Sequence, residues 1–315
     1  MKRRLWSHSK AHGTSPASPT TSPPCATRPR ASRQAINNGV RLVRGSEPEQ
    51  DLSWFDGSVV ADLSADAQWL LTTECCEAEN PQYAVYVRRT DGSAAIRLGD
   101  GAARRLSPDG KWALAVPLLQ KPELVLYPTG LGMTRTLEEP GIESLQWAGW
   151  HPDGRHVFCV SITSEGRRRL SLRDLDGGAP RTLLEGDIAC DRFAGLAISP
   201  DGARIVLHLA DQGWQQLHVD DRSLHPLAGL EPDDLPVRFH ASGRELFVSR
   251  TMDTPPRLDR LDLDTGERRT HRTLRPADPA GMFYLGPAIP SGDGESYAYS
   301  YARELSELYL VEGLE

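Results

Sequence analysis

Two aspartate-rich strings are the first places in this 315-residue chain where spacing invites chemistry. Asp174-Leu175-Asp176-Gly177-Gly178 and Asp262-Leu263-Asp264-Thr265-Gly266 place carboxylates two residues apart ahead of glycine, as a calcium loop does. Such a loop closes on a bidentate carboxylate at its twelfth position. From Asp262 that position is Thr273, and from Asp174 it is Glu185. Because Arg181-Thr182-Leu183-Leu184 reads as a strand, both strings are read as hairpin turns. His151 and His240 stand at equivalent places in two copies of a repeated phrase, where a base or a metal ligand would be useful. A histidine in a turn more often hydrogen-bonds backbone, and that is the reading here.

The other reactive residue types lack partners at useful spacing. The five cysteines (Cys25, Cys75, Cys76, Cys159, Cys190) match no metal pattern. A Cys75–Cys76 bridge would violate the geometry disulfides prefer, so reduced thiols are expected, with Cys159 a small core residue. There is no His-Glu-x-x-His and no Gly-x-Ser-x-Gly. A Gly-rich phosphate loop, a His-Arg-Asp catalytic loop and an Asp-Phe-Gly are also missing, and His271-Arg272-Thr273 is no substitute. The expectation is a chain with no catalytic residues, no metal and no cofactor.

What positions these residues is a phrase that returns six times. It reads Leu63-Ser64-Ala65-Asp66-Ala67, Leu106-Ser107-Pro108-Asp109-Gly110, Trp150-His151-Pro152-Asp153-Gly154, Ile198-Ser199-Pro200-Asp201-Gly202, Phe239-His240-Ala241-Ser242-Gly243 and Ile289-Pro290-Ser291-Gly292-Asp293-Gly294. The last residues are separated by steps of 43, 44, 48, 41 and 51. Proline presets φ for a type I turn, the serine or aspartate oxygen caps a backbone N–H, and glycine supplies the positive φ for re-entry into a strand. Short apolar runs flank each copy, as in Trp112-Ala113-Leu114-Ala115-Val116 and Ile205-Val206-Leu207. Each unit but the last offers four strands and no convincing helix, so the class is all-β: a six-bladed β-propeller of four-stranded blades.

Charge is uneven. Residues 1–46 hold nine Lys/Arg and no acid, whereas the remainder carries 27 basic and 43 acidic residues. An acidic propeller argues against nucleic acid as a partner. Residues 1–38 are expected to be a disordered basic Pro/Ser-rich tail or linker, with the propeller spanning 39–315. No secretory signal and no membrane-spanning run is visible, so the expectation is a monomeric cytoplasmic protein. The last unit lacks a fourth strand. Gly39–Arg44 is expected to supply it, pairing with Glu307–Val311 and closing the ring.

Several stretches carry a family resemblance. They are Glu49–Trp54, Tyr86–Ser93, Leu106–Ala115, Ser296–Tyr301 and Leu305–Leu314. Together they resemble the PD40 (WD40-like) repeat of TolB-type six-bladed propellers, and more closely the C-terminal propeller region of certain bacterial serine/threonine protein kinases. The resemblance implies a sensory or interaction module. Here the kinase domain itself is absent.

If the phrase joins the innermost strand of a blade to the second, the opposite face carries the loops between strands two and three and those between blades. Trp54, Glu74, Trp147, Arg167, Arg168, Arg192, Arg250, Asp253 and Arg303 are placed there and form the candidate binding set. The expected function is recognition of a protein or peptide, with a serine/threonine kinase system as a partner. The alternatives are a small-molecule sensor using the central channel and a hydrolase-type enzyme with a channel site.

Overall fold

All six phrases form the same turn. The amide of each final residue donates to the carbonyl of the Ser or His three positions earlier, at 2.8–3.1 Å, from Ala67 to Ser64 through Gly294 to Ser291. Ser64, Ser107, Ser199 and Ser291 donate through Oγ to the following aspartate and accept the amide that starts the next strand. The degenerate fifth copy keeps the backbone geometry, because the His240 amide donates to the Glu245 carbonyl at 2.9 Å as the Ser64 amide does to Trp69, while His240 Nδ1 accepts the Ser242 amide at 3.1 Å. Ala67 enters the left-handed region at φ +56, beside glycines at +68 to +78 elsewhere in the series.

The computed structural model describes residues 30–75, 83–117, 123–138, 141–190 and 195–310, with side chains from Ile36 to Glu304 in those ranges. Residues Gln34–Leu305 form one compact unit. A second unit comprises Met1–Arg33 and Ser306–Glu315, of which only the strand ends 30–33 and 306–310 are described.

The architecture is all-β, six antiparallel blades in a ring, with no helix among the described residues. Blade 1 is Ser58–Leu63, Trp69–Glu74, Ala84–Arg89 and Ile96–Asp100. Blade 2 is Ala102–Leu106, Trp112–Val116, Glu123–Pro128 and Arg135–Glu138. Blade 3 is Ile142–Trp150, His156–Thr163, Arg168–Asp174 and Arg181–Gly186. Blade 4 has a divided inner strand, Ile188–Ala189 and Ala197–Ile198, then Arg204–Leu209, Gly213–His218 and Leu224–Pro226. Blade 5 is Leu235–Phe239, Glu245–Arg250, Arg257–Asp262 and Arg268–Thr273.

Blade 6 joins the two ends of the chain. Its inner strand is Met282–Leu285 with Ile289–Pro290, its second is Ser296–Leu310, its third Arg30–Arg44 and its fourth Gln50–Asp51. An N-terminal strand closes the ring, as expected from the sequence, but its partner differs. The Gly45 amide donates to the Glu295 carbonyl at 2.8 Å, and the ring of Tyr301 lies where a Cβ on Gly39 would stand. Gly39–Arg44 therefore runs beside 296–301 as a third strand, and Glu307–Leu310 continues the second strand rather than forming another. Val311 lies outside the described residues, as do residues 1–29 of the expected tail. Glu49 fixes the join by accepting from the buried Tyr299 hydroxyl and the Ala277 amide.

The core lies between blades. Leu71, Val85 and Val87 of blade 1 pack on Ala113, Ala115 and Val125 of blade 2, and Leu114, Leu124 and Leu126 of blade 2 pack on Ala148, Val157 and Cys159 of blade 3. A blade buries its faces only against its neighbours, so an open ring would expose two of them.

Candidate functional site: the central channel

The innermost strands line a channel, and a shared irregularity decides which side chains enter it. A β-bulge interrupts pairing between Val60 and Asp62, Ala103 and Leu106, Leu145 and Trp147, Pro236 and Arg238, and Met282 and Tyr284. In a regular strand, neighbours face opposite sides; a bulge breaks that alternation and re-aims a side chain. In blade 2 the result is that adjacent Arg104 and Arg105 both line the channel.

On the side of the turn phrases the channel holds an ionic cluster drawn from three blades, bordering a recess lined by Asp66, Pro108 and Pro152. Asp62 Oδ1 accepts from Arg105 Nη1 at 3.1 Å, from Arg238 Nη2 at 2.6 Å and from the Leu63 amide at 3.0 Å, while Oδ2 accepts from the Leu106 amide at 3.0 Å. Arg238 also donates to the Leu63 carbonyl at 2.8 Å and Arg105 to the Val237 carbonyl at 3.4 Å. Burial pulls the Arg238 guanidinium below its ordinary value, against the opposing pull of Asp62.

On the opposite face the channel opens through a cavity of about 300 Å³. Its walls are Val59, Val60, Ala61, Ala102, Ala103 and Ile289, with Arg104 and Arg105 among them and Tyr83, Tyr284 and Tyr301 also in the lining. Cys75 and Tyr83 flank the connection between strands two and three of blade 1, so this mouth belongs to the face away from the turn phrases.

The residues expected to bind are dispersed. Among those that are described, only Trp147 lines the channel. It sits in an inner strand, 5% exposed, packed with Ile188, Leu196 and Leu207 of blade 4, and its indole fills the space beside Gly149 and Gly195. Glu74 is fully buried, accepting from Ser58 Oγ at 2.6 Å and Thr72 Oγ1 at 2.8 Å. Ser58 Oγ in turn accepts the Trp54 amide, so Trp54 and Glu74 meet at one hydroxyl that ties down the loop between blades 6 and 1. The exposed Trp54 indole is covered by Arg88. Arg250 and Asp253 pair at 3.2 Å within a network that includes Glu231, Asp234 and Arg257. Arg303 pairs with Asp278 at 2.9 Å, Arg168 donates to the Ile188 carbonyl, and Arg167 is exposed. Arg192 lies outside the described residues.

The candidate metal ligands build turns. Asp262 Oδ1 accepts the Asp264 and Thr265 amides, and Asp174 Oδ1 accepts the Asp176 amide. Glu185 is engaged by Arg169 at 2.6 Å. Among the described residues, His151, Asp153 and His156 are the one group of three metal-capable side chains within reach of each other. Asp153 Oδ1 accepts the Arg155 and His156 amides, and His151 Nδ1 accepts the Asp153 amide at 3.2 Å. Cys159 and Cys190 are buried and Cys75 is half-buried, while Cys25 and Cys76 lie outside the described residues.

Sequence reasoning missed Asp62, Arg105 and Arg238. The available signal was their register: each stands two residues before the Ser or His of its phrase, where the other copies hold Gly149, Ala197 and Ile289.

No family model matches the chain, and no curated protein matches it. Solved structures do. A protein described as a TolB from Agrobacterium tumefaciens superposes with a TM-score of 0.62 at 19% identity, covering 86% of this chain and 99% of that one. TolB from Acinetobacter baumannii gives 0.57 at 14% identity, covering 78% of this chain and 66% of that one. A chain of a nidogen/laminin complex gives 0.54 at 12% identity, covering 76% and 94%. No helix of the described residues is long and apolar enough to cross a membrane. In fold, the chain is a TolB-like six-bladed β-propeller.

Proposed function

We propose that this propeller is a non-catalytic recognition module that takes a short segment of a partner protein into the channel mouth on the face away from the turn phrases. The observation that carries the reading is the cavity itself. It is concave, about 300 Å³, mostly apolar, and bordered by a few polar groups, of which Arg104, Arg105 and Tyr284 are held by inner strands. A cavity of that size admits one or two side chains and not a folded surface. The sequence resemblance to kinase-linked propellers supports a setting in which this chain delivers the recognition event to a serine/threonine kinase carried on another polypeptide.

The test is selection of displayed random peptides on the full chain and on Val59→Trp, which fills the cavity from a half-buried wall position. Peptides selected by the parent are expected to lose binding to Val59→Trp while its melting temperature is retained. Binding that persists in a folded Val59→Trp protein would place recognition elsewhere on the ring.

A further inference from the structure

We infer that the channel selects a single carboxylate borne on an apolar or aromatic group, received by Arg105 where the two halves of the channel meet. This deepens the recognition reading above and rests on it. Arg105 borders both halves of the channel, the cavity open to one face and the turn-lined recess open to the other. Its counter-ion is shared. Arg105 and Arg238 bring two positive charges to the single carboxylate of Asp62. That carboxylate already accepts four hydrogen bonds, about the full capacity of its two oxygens. Each guanidinium presents about five N–H donors. Beyond Asp62, among the described residues Arg105 reaches only the Val237 carbonyl and Arg238 the Leu63 carbonyl, and Arg238 Nη1 is buried with no hydrogen-bond partner among them. Donors and charge both exceed what Asp62 can answer.

The surroundings define what kind of anion fits. Among the described lining residues of the open cavity there is no carboxylate, while Arg104 and Arg105 supply two guanidinium groups. Apolar walls keep the local dielectric low and strengthen a charge pair formed there. The excess at the cluster is one charge, which suits a monocarboxylate better than a phosphate. The Val59, Val60, Ala102 and Ala103 walls offer contact to an apolar body instead of water to a polyanion. A cavity of about 150 Å³ holds benzene, so about 300 Å³ leaves room for an aromatic ring with its acid group. A free aromatic or aliphatic acid and the C-terminal residue of a peptide present this same chemistry.

Calorimetric titration of the full chain tests the inference with two matched pairs. One is phenylacetate against phenylacetamide. The other is the peptide Ala-Ala-Phe with a free against an amidated C-terminus. At least one acid is expected to bind about tenfold or more tightly than its amide, as loss of a charge-assisted hydrogen bond predicts. Binding by phenylacetate alone identifies a small acid as the source, and preference for the free peptide identifies a chain terminus. Arg105→Gln is expected to erase the acid–amide difference, and Val59→Trp to abolish binding. The ligand pairs need no variant, so a poorly folded Arg105→Gln protein leaves them decisive. Equal affinity for acid and amide, or no binding by any of the four, overturns the inference. In either case the peptide selection still decides the recognition reading independently. Acid binding unchanged in folded Val59→Trp overturns it as well, by placing the acid outside the channel.

Discussion

Arg238 Nη2 lies 2.6 Å from Asp62 Oδ1, although the two residues belong to blades 5 and 1 with the whole of blade 6 between them. With Arg105 of blade 2 on the same carboxylate, one ionic cluster braces three blades across the channel. The side chain of Asp62 is 5% exposed and its partners are about one-fifth exposed, so the cluster is far less screened than a surface pair. Removing one partner of a buried pair typically costs about 3–5 kcal/mol, because the remaining charge is left uncompensated. Asp62→Ala is accordingly expected to lower stability to urea by about that amount. Asp62→Ala with Arg238→Met should recover part of the loss. A loss under about 1 kcal/mol in the single variant would show that water already answers these charges.

The scaffold was legible in the sequence because turn chemistry is local. Pro108, Asp109 and Gly110 each act on backbone within a few residues, so six copies of the phrase announce six blades without knowledge of what they face. The site was less legible because it depends on bulges, which have no local signature here. The chain Ala103-Arg104-Arg105-Leu106 reads as an alternating strand in which one arginine must turn away; the bulge sends both to the channel. Closure fell between the two. An extra strand from Gly39–Arg44 was readable, but its place as third strand was set by the unbroken run Ser296–Leu310, whose Arg303, Glu304 and Ser306 resemble a turn in sequence. Trp147 and Glu74 looked like loop residues and are buried for packing and for hydrogen bonding.

Ala67 and Gly202 should respond in opposite directions to exchange of alanine and glycine. Ala67 holds φ at +56, a region that costs an L-residue roughly 1–2 kcal/mol. Its methyl is buried, and giving up that burial costs about 0.8 kcal/mol. Ala67→Gly is therefore expected to stabilise by roughly 0.5 kcal/mol. Gly202 sits at φ +74 with the imidazole of His151 where a Cβ would stand. Gly202→Ala should destabilise by about 2 kcal/mol or more, combining the backbone cost with a clash. Equilibrium unfolding of both variants checks the pair, and a shared sign would contradict it.

Ring closure has its own narrow test at Gly39. A Cβ there would enter the Tyr301 ring, which also lies under the Arg41 guanidinium at 4.9 Å from its centroid. Gly39→Ala should cost about 1–3 kcal/mol by overpacking the joint between the chain's two ends. In a double-mutant cycle, Tyr301→Ala should absorb much of that cost, giving a coupling of about 1 kcal/mol or more. Additive losses would mean that the two residues do not meet across the closing pair of strands.

The ring of turn aspartates makes stability depend on acid in a defined window. Hydrogen bonds from Ser199 and Ser291 hold Asp201 and Asp293 below the usual carboxylate range. At Asp66 and Asp109 burial pushes the other way, and it is outweighed only by hydrogen bonds from Ser64 and the Gln68 amide at Asp66, and from Ser107 and Lys111 at Asp109, acting together. At Asp153 burial is likewise overcome, by the Arg155 and His156 amides and the His156 ring. A carboxylate depressed in the folded state contributes stability that is fully present above its unfolded value of 3.8, and that contribution is lost as pH falls through the folded value. The aspartates' contribution to stability should therefore be nearly flat from neutral pH down to about 5 and fall progressively below about 4. It comes on top of a loss that begins below about pH 6.5, where the unfolded chain protonates His271 while burial holds its folded imidazole below the ordinary value. Ser199→Ala removes the donor that depresses Asp201, so it should be less stable than the parent at neutral pH and converge on it in acid. Parallel curves for the two proteins down to the lowest pH at which they remain folded would show that the Ser199–Asp201 bond does not carry the acid sensitivity.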